Sequence, residues 1–210
     1  MSGKGFFITM EGIDGCGKTL AAEKLCAYLT EEGFSVVRTF EPGGSDLGAE
    51  IRAVLLNSDK QLDPRAELLL FAADRAQHMA RVVRPALENG KIVVSDRFTD
   101  STLAYQGGGR GLPLSLLSQV NKLASFELVP DVTFYLSVPL DIAQRRRSLA
   151  PDRMEKEDME FHNRVLQAYE QLAVENVQRI VKIDASVSAE EVFNQIKYII
   201  EQRRRGGSLV

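Results

Sequence analysis

The segment that most constrains the fold of this chain is residues 12–19, which read GIDGCGKT. It fits the pattern G-x-x-x-x-G-K-[ST], in which glycines let the backbone curl so that several N–H groups point to one place. A polyphosphate can sit at that place. Lys18 adds a positive charge for the outer phosphates, and Thr19 adds a hydroxyl for Mg²⁺. The motif therefore predicts a phosphate-binding loop that opens a helix, whose N-terminal dipole favours the same anion.

The residues on either side of this motif provide the strand and the helix that such a loop requires. Residues 6–10 form a short apolar run typical of a buried strand, and residues 20–29 carry apolar side chains at helical spacing. The alternative interpretation of the motif is an ordinary glycine-rich turn. Because strand, loop and helix follow one another in the required order, we interpret the motif as a nucleotide-phosphate site.

Strand-like and helix-like segments alternate along the rest of the chain. Further strands are predicted at 34–40, 91–95, 131–138 and 179–183, and helices at 46–56, 64–89, 101–106, 113–126, 141–147, 154–178 and 189–203. Pro85 is expected to kink the helix that contains it, and residues 107–111 are expected to form a loop. The alternation predicts a five-stranded parallel sheet in a three-layer α/β/α sandwich, the P-loop NTPase fold. We expect one domain, residues 1–210, with a lid segment at about 145–155.

Composition excludes several classes of function. The net charge of −3 gives no sign of a general surface for nucleic acid or membranes. No apolar run approaches membrane-spanning length, and we expect no signal peptide because the first strand begins almost at once. Cys16 and Cys26 do not suggest a disulfide framework, so a reducing, cytoplasmic location is predicted.

The segments that follow the strands are the expected ligand-binding positions, because parallel sheets bind ligands at the carboxyl ends of their strands. Asp96 follows the third strand, as a carboxylate on the Mg²⁺ side should, and Arg97 could hold a second phosphate. The alternative for Asp96 is a helix cap. A switch GTPase would have glycine where Thr99 stands, and its Asn-Lys-x-Asp motif is absent because residues 121–124 read NKLA.

Four arginines surround a polar, proline-containing segment late in the chain. They are Arg145, Arg146, Arg147 and Arg153. Cations on a closing segment could neutralise charge on transferring phosphates. The alternative is a solvated basic helix end. Because a phosphate loop is present in the same chain, we expect at least one of these arginines to act on phosphates. Arg153 is the strongest candidate.

Longer motifs resemble those of the thymidylate kinase family, which converts dTMP to dTDP. The matching segments occur in family order across nearly the whole chain. They are residues 11–19 (EGIDGCGKT), 41–44 (EPGG), 71–75 (FAADR), 96–98 (DRF), 104–111 (AYQGGGRG), 152–155 (DRME) and 168–170 (AYE). The phosphate loop alone indicates only nucleotide binding, whereas the segments at 96–98 and 104–111 are far more selective.

The resemblance implies a dTMP site. Phe71 would stack on thymine, and the fixed donor fork of Arg75 would bind a base carbonyl. Tyr105 would crowd a 2′-hydroxyl, and Tyr169 would close over the sugar. Spacing alone would make these ordinary helix residues. The dTMP-binding residues that the resemblance implies are Asp14, Glu41, Pro42, Phe71, Arg75, Arg97, Ser101, Tyr105, Gln106 and Tyr169.

On the donor side the resemblance implies ATP with Mg²⁺. Residues 13–16 offer no cation, so the chain resembles the bacterial style in which arginines come from the lid. Two departures from the family pattern are Leu20 and the arginine run at 145–147, so which lid arginine contacts the phosphates stays open. The implied ATP-binding residues are Gly12, Ile13, Asp14, Gly15, Cys16, Gly17, Lys18, Thr19 and Arg147. The resemblance also implies that Thr19 and Asp96 bind the metal. The implied catalytic residues are Lys18, Arg97 and Arg153.

The resemblance also implies a homodimer and direct, in-line transfer of a phosphoryl group. The acceptor oxygen is already anionic, so positioning and charge neutralisation would supply most of the catalysis without a strong general base. Two other classes stay open. A different small-molecule kinase would need another acceptor pocket, and a non-catalytic nucleotide-binding protein would need neither an acceptor site nor lid arginines.

Overall fold

A computed structural model of the chain describes residues 5–57, 61–146 and 151–205. In this part of the chain, five strands form one sheet with the order β2-β3-β1-β4-β5, and every neighbouring pair is parallel. The strands are β1 (Phe6–Glu11), β2 (Val36–Phe40), β3 (Ile92–Asp96), β4 (Val132–Ser137) and β5 (Ile180–Asp184). The predicted parallel sheet is confirmed, with its strand ends shifted by a residue or two.

Helices cover both faces of the sheet. They are α1 (Lys18–Glu31), α2 (Asp46–Asn57), α3 (Pro64–His78), α4 (Arg84–Glu88), α5 (Thr99–Thr102), α6 (Leu114–Ser125), α7 (Leu140–Arg146), α8 (Met159–Glu175) and α9 (Ala189–Arg205). The alternation of side chains along β1 shows the layering. Ile8 belongs to the core shared with α1 and α9, whereas Phe7 packs with Met79 and Val83 on the other face. The predicted three-layer sandwich is confirmed.

The helix predicted for residues 64–89 is interrupted one turn before its proline. A π-helical turn, Met79–Val83, separates α3 from α4. Proline has no N–H, and its ring collides with the carbonyl four residues earlier. For Pro85 that carbonyl belongs to Arg81, inside the π turn, so the wider turn accommodates the ring and the chain continues helically beyond it.

The glycine run at 107–109 is helical, so the predicted loop is wrong there. A second π-helical segment, Leu103–Gly109, follows α5 directly and packs against α8. A Cβ atom on Gly108 would lie 2.9 Å from the Arg164 carbonyl oxygen, and one on Gly109 would lie 2.5 Å from the Phe161 ring. The glycines therefore allow α8 to approach this backbone, and that packing outweighs their poor helix propensity.

The long helix predicted from residue 154 begins only at Met159. Asp158 caps α8, since its carboxylate accepts a hydrogen bond from the Phe161 backbone N–H at 2.7 Å. Before it, Asp152 Oδ1 accepts from the N–H groups of Met154 and Glu155, which holds a turn. Part of the expected lid, residues 147–150, lies outside the described residues. Within the described residues, no helix is long and apolar enough to cross a membrane.

Candidate active site

The phosphate loop joins the end of β1 to the start of α1, at the carboxyl edge of the sheet. Gly12 and Gly15 have φ values of +139° and +86°, and a Cβ atom on either would collide with a backbone carbonyl. These positions therefore require glycine. The buried Lys18 ammonium donates to the Ile13 carbonyl oxygen at 3.0 Å and lies 3.8 Å from Asp14 Oδ1. Its charge is held across the loop where an anion would bind.

Thr19 and Asp96 are brought together as the motif predicts. The Thr19 hydroxyl donates to Asp96 Oδ2 at 2.6 Å, at the carboxyl end of β3. Oxygen ligands of this kind suit Mg²⁺, which usually keeps several waters and binds substrate phosphates. The described residues hold no group of three or more His, Cys, Asp or Glu side chains that could bind a metal. A metal here would therefore take most of its ligands from phosphate and water.

Arg97 joins the phosphate loop to α5 and the π segment after it. Its φ of +74° is unusual for a residue with a side chain. Nη1 donates to the Gly12 carbonyl at 3.1 Å and to Ser101 Oγ at 3.2 Å, and Nη2 donates to Asp14 Oδ1. The guanidinium lies 5.1 Å from the centre of the Tyr105 ring. One cation thus connects the loop with the wall of the neighbouring cleft.

The Asp14 carboxylate is the other half of this junction. The Tyr105 hydroxyl donates to Asp14 Oδ2 at 3.0 Å. Burial alone would raise the pKa of Asp14, but the charges of Arg97 and Lys18 hold it well below its usual range. Asp14 is therefore ionised at every pH at which the protein would work, and it keeps Arg97 in place.

A second buried network follows β2. Glu41 accepts from Arg75 Nε at 2.7 Å and from His78 Nδ1 at 2.9 Å. Burial alone would raise the pKa of Glu41, but the Arg75 charge lowers it. The other described acceptors for Arg75 are Thr102 Oγ1, Asn121 Oδ1 and the Phe98 carbonyl oxygen. Four of its five N–H groups are thus used within the described residues, and one on Nη2 is left for a ligand.

Two clefts open at this edge of the sheet. The first, which we call the acceptor cleft, is lined by both polar and aromatic side chains, among them Phe71, Arg75, Ser101, Tyr105, Gln106 and Pro42. The second, the donor cleft, lies over the phosphate loop and is lined by Gly15, Gly17, Lys18, Thr19 and Asp96. Asp14, Glu41, Arg52 and Arg97 line both. Ligands bound in the two clefts would therefore meet at these four residues.

Comparison with known proteins identifies this arrangement. The family model described as thymidylate kinase matches residues 10–196 of this chain. The chain belongs to the thymidylate kinase family. The resemblance inferred from the motifs is confirmed.

Individual members of the family are similar over nearly their whole length. The thymidylate kinase of a Synechococcus strain, JA-2-3B'a(2-13), is 48% identical, with 94% of this chain and 95% of the relative covered. The thymidylate kinase of Halothermothrix orenii is 44% identical, and the match covers 94% of this chain and 97% of the relative. The crystal structure of thymidylate kinase from Ehrlichia chaffeensis matches with a TM-score of 0.78 and 36% identity, with 94% and 99% covered.

Most of the dTMP-site residues implied by the family resemblance line the acceptor cleft, but Tyr169 does not. Its ring is buried and stacks on Tyr135 with ring centres 5.2 Å apart. Its hydroxyl lies 2.9 Å from Ser101 Oγ and donates to Glu11 Oε2, also at 2.9 Å. Tyr169 thus supports Ser101 from behind, and the contact with a sugar expected from the family stays a prediction.

Arg153 is held by residues outside the phosphate loop, and its expected action on phosphates stays a prediction. Its Nε donates to the Leu55 carbonyl at 2.7 Å, and its Nη1 pairs with Glu67 at 2.7 Å. Arg153 lines neither cleft. Of the four late arginines, Arg146 lines the donor cleft, and its Nη1 donates to the Ala185 carbonyl at 2.7 Å. Arg147 lies outside the described residues.

Sequence reasoning in terms of the family's motifs assigned no role to three residues of the site. Arg52 lines both clefts, and its Nη1 donates to the Pro42 carbonyl at 2.7 Å. The sequence signal that could have identified Arg52 is its position in the helix after the EPGG turn. Glu11 is buried and accepts from the Phe98 N–H at 2.8 Å and the Ser101 hydroxyl at 2.6 Å. Burial and the Asp100 charge raise the pKa of Glu11 to about 7. Glu67 lies in the first turn of α3, and no motif in the sequence indicated a role for it.

Proposed function

We propose that this chain transfers the γ-phosphoryl group of ATP to the phosphate of dTMP, giving dTDP and ADP, as a step of dTTP synthesis. The observation that carries the proposal is the junction of the two clefts at Asp14 and Arg97. A donor held on the phosphate loop and an acceptor held beside Phe71 would place their reacting phosphates at this junction. Membership of the thymidylate kinase family supports these two substrates.

On the donor side, the ATP phosphates would bind the N–H groups of the loop and the Lys18 ammonium. Thr19 and Asp96 fit the oxygen-rich, partial ligand set of Mg²⁺, and they would hold it there. Bound Mg²⁺ supplies neutralisation of charge on the β- and γ-phosphate oxygens. Lys18 stays in place through its bond to the Ile13 carbonyl, so it needs little rearrangement as charge develops.

On the acceptor side, Phe71 and Arg75 would bind the base, and Arg97 would bind the acceptor phosphate. Tyr105, beside Asp14, would exclude a 2′-hydroxyl. Arg97 is fixed by Asp14, so the acceptor oxygen would be aligned for in-line attack before the reaction begins. That oxygen is already anionic, which removes the need for a strong general base.

The lid arginines complete the proposed site. We assign a transition-state role to Arg153 and ATP contact to Arg147, as the family resemblance implies. In this structure the Arg153 guanidinium is paired with Glu67. Arg153 would therefore have to leave that carboxylate to reach the phosphates.

We further propose a single-domain, cytoplasmic homodimer. The family resemblance supports the dimer, and Leu69 on α3 and Leu123 on α6, which are 60% and 82% exposed, are apolar side chains that a second subunit could cover. Light scattering during gel filtration measures the mass in solution. A particle of twice the chain mass is expected, and a particle of one chain mass contradicts the dimer.

The activity is tested by ADP release with ATP, Mg²⁺ and a panel of acceptors: dTMP, dUMP, dCMP, UMP and AMP. Strong preference for dTMP is expected. Preference for another acceptor would instead support a different small-molecule kinase. Folded protein that binds ATP but turns over none of the five would overturn the proposal and favour a non-catalytic nucleotide-binding role.

A further inference from the structure

The carboxylate of Glu67 lies behind the wall of the acceptor cleft, fully buried at the start of α3. It accepts hydrogen bonds from Gln106 Nε2 at 2.9 Å and from Arg110 Nη2 at 2.9 Å, and it pairs with Arg153 Nη1 at 2.7 Å. Burial alone would raise the pKa of Glu67, but the hydrogen bonds from Arg110 and Gln106 lower it. Glu67 is therefore ionised at neutral pH, and an ionised carboxylate can only accept hydrogen bonds.

This neighbour fixes the direction of the Gln106 amide. The oxygen and nitrogen ends of a glutamine amide have nearly the same shape, so shape alone does not decide between them. An acceptor-only carboxylate does decide, because only the NH₂ end can donate to it. The Gln106 oxygen, Oε1, must therefore be on the opposite side.

That oxygen is available to a ligand. No described residue donates to Gln106 Oε1, and it is not among the described buried atoms that lack a partner. It therefore reaches open space, and the open space beside Gln106 is the acceptor cleft. The same cleft holds Arg75, with one Nη2 N–H unused among the described residues.

A donor on Arg75 and an acceptor on Gln106 match one type of pyrimidine edge. Thymine and uracil present a carbonyl oxygen next to a ring N–H. Cytosine presents the reverse, with an amino donor next to a ring nitrogen that accepts. The polarity of the Gln106 amide therefore distinguishes the two, since a flipped amide would suit cytosine at that position.

We propose that Glu67 is a positioning residue for acceptor specificity: it holds the Gln106 amide in the orientation that favours a pyrimidine with a ring N–H beside a carbonyl and rejects cytosine. The inference rests on the proposed function, because it requires the acceptor base to lie against Arg75 and Gln106.

The test is the variant Glu67→Gln, which has the same shape but can either accept or donate. In it the Gln106 amide can take both orientations. We measure the KM for dTMP and the Ki of dCMP and of dUMP as competitive inhibitors of dTMP phosphorylation. The ratio of the dCMP Ki to the dTMP KM is expected to fall at least about tenfold, a change of about 1.4 kcal/mol in discrimination. The corresponding dUMP ratio should stay within about twofold, because dUMP presents the same edge as dTMP.

Two further variants keep the test decisive. Glu67→Asp retains an acceptor-only carboxylate and should keep the dCMP ratio within about threefold of wild type even if every affinity falls. Gln106→Leu removes the acceptor, so adding Glu67→Gln to it should change the ratio no further. Thermal melting of each variant establishes that it is folded. If Glu67→Gln does not fold, Gln106→Leu provides the readout: the dCMP ratio should fall at least about tenfold, and an unchanged ratio overturns the inference.

The outcomes separate the inference from the proposed function. If Glu67→Gln weakens all three nucleotides equally, Glu67 is merely structural and the inference is wrong. A loss of preference in Glu67→Asp as large as tenfold also overturns it. Wild-type protein that does not phosphorylate dTMP would instead overturn the proposed function itself.

Discussion

Lys18 is the residue whose charge the proposed reaction uses most directly. Its ammonium is buried, and it is fixed on the Ile13 carbonyl beside Asp14. Lys18→Ala should lower kcat by at least about 100-fold, since it removes a charge that stabilises developing negative charge in a preorganised site. ADP release at saturating ATP and dTMP measures the effect.

The exposed Lys122 on α6 provides the matched control for that prediction. Lys122→Ala removes the same charge far from the loop, and its kcat should stay within about twofold of wild type. Melting curves test whether both variants remain folded. A decrease of less than threefold in Lys18→Ala would rule out the proposed role of Lys18.

Tyr105 is the residue that should distinguish the sugars. Its buried ring lies against the Arg97 guanidinium, and its hydroxyl donates to Asp14. Tyr105→Ala opens space beside Asp14, so it should reduce the preference for dUMP over UMP by about tenfold or more. Tyr105→Phe keeps the ring and should keep the preference. Competition between the two nucleotides measures it, and unchanged selectivity in Tyr105→Ala argues against steric exclusion by this ring.

At the scale of elements, the π segment Leu103–Gly109 gives the clearest stability prediction. Gly108→Ala would place a Cβ atom 2.6 Å from the Ala168 Cβ and 2.9 Å from the Arg164 carbonyl oxygen on α8. We expect it to lower the free energy of unfolding by about 1–3 kcal/mol, the usual cost of overpacking. Chemical denaturation measures this loss, and kcat/KM for dTMP should fall too because the segment carries Tyr105 and Gln106.

A second substitution tests the cause of that loss. Ala168→Gly removes the closer of the two contacts, so in the Gly108→Ala background it should restore part of the stability. By itself it should cost up to about 1 kcal/mol through lower helix propensity. If the double variant is as unstable as the sum of the single changes, the packing explanation for the glycine run is wrong.

The same segment shows where prediction from sequence succeeds and fails. The phosphate loop and the parallel strands were predictable because their signals are local: three glycines, a Lys-Thr pair and short apolar runs. The helical state of 107–109 was not, because it depends on α8, which lies more than 50 residues further along the chain. The turn before Met159 was missed for a related reason, since its stability comes from the Asp152 carboxylate and not from periodicity.

At the scale of the whole molecule, the sequence could not predict which charged residues of the site form ion pairs with each other. Family motifs named Asp14, Arg97, Glu41 and Arg75 separately, but the sequence does not show that they pair as Asp14–Arg97 and Glu41–Arg75. Glu67 and Arg153 lie 86 residues apart in the chain, and only the folded chain brings them together. Motifs therefore named most of the residues that line the acceptor cleft, and the fold determines which of these residues pair with one another.

Buried carboxyl groups also determine how the stability of the whole fold depends on pH. Burial and the charge of Asp100 raise the pKa of Glu11 to about 7, and burial and the charge of Glu41 raise that of Asp74 to about 6. Between the ordinary carboxyl pKa and these values, the folded protein holds protons that the unfolded chain releases. The free energy of unfolding should therefore fall as pH rises from about 5 to 8.

Glu11→Gln isolates the contribution of Glu11 together with its interaction with Asp100, because groups elsewhere in the chain titrate alike in the two proteins. Between pH 5 and pH 8, the free energy of unfolding of wild type should fall more than that of Glu11→Gln. The difference between the two proteins should change by about 1–3 kcal/mol over this range. Urea denaturation across this range measures it. Parallel curves would mean that Glu11 is already ionised at pH 5, so that the hydroxyls of Ser101 and Tyr169, together with Arg97, outweigh its burial.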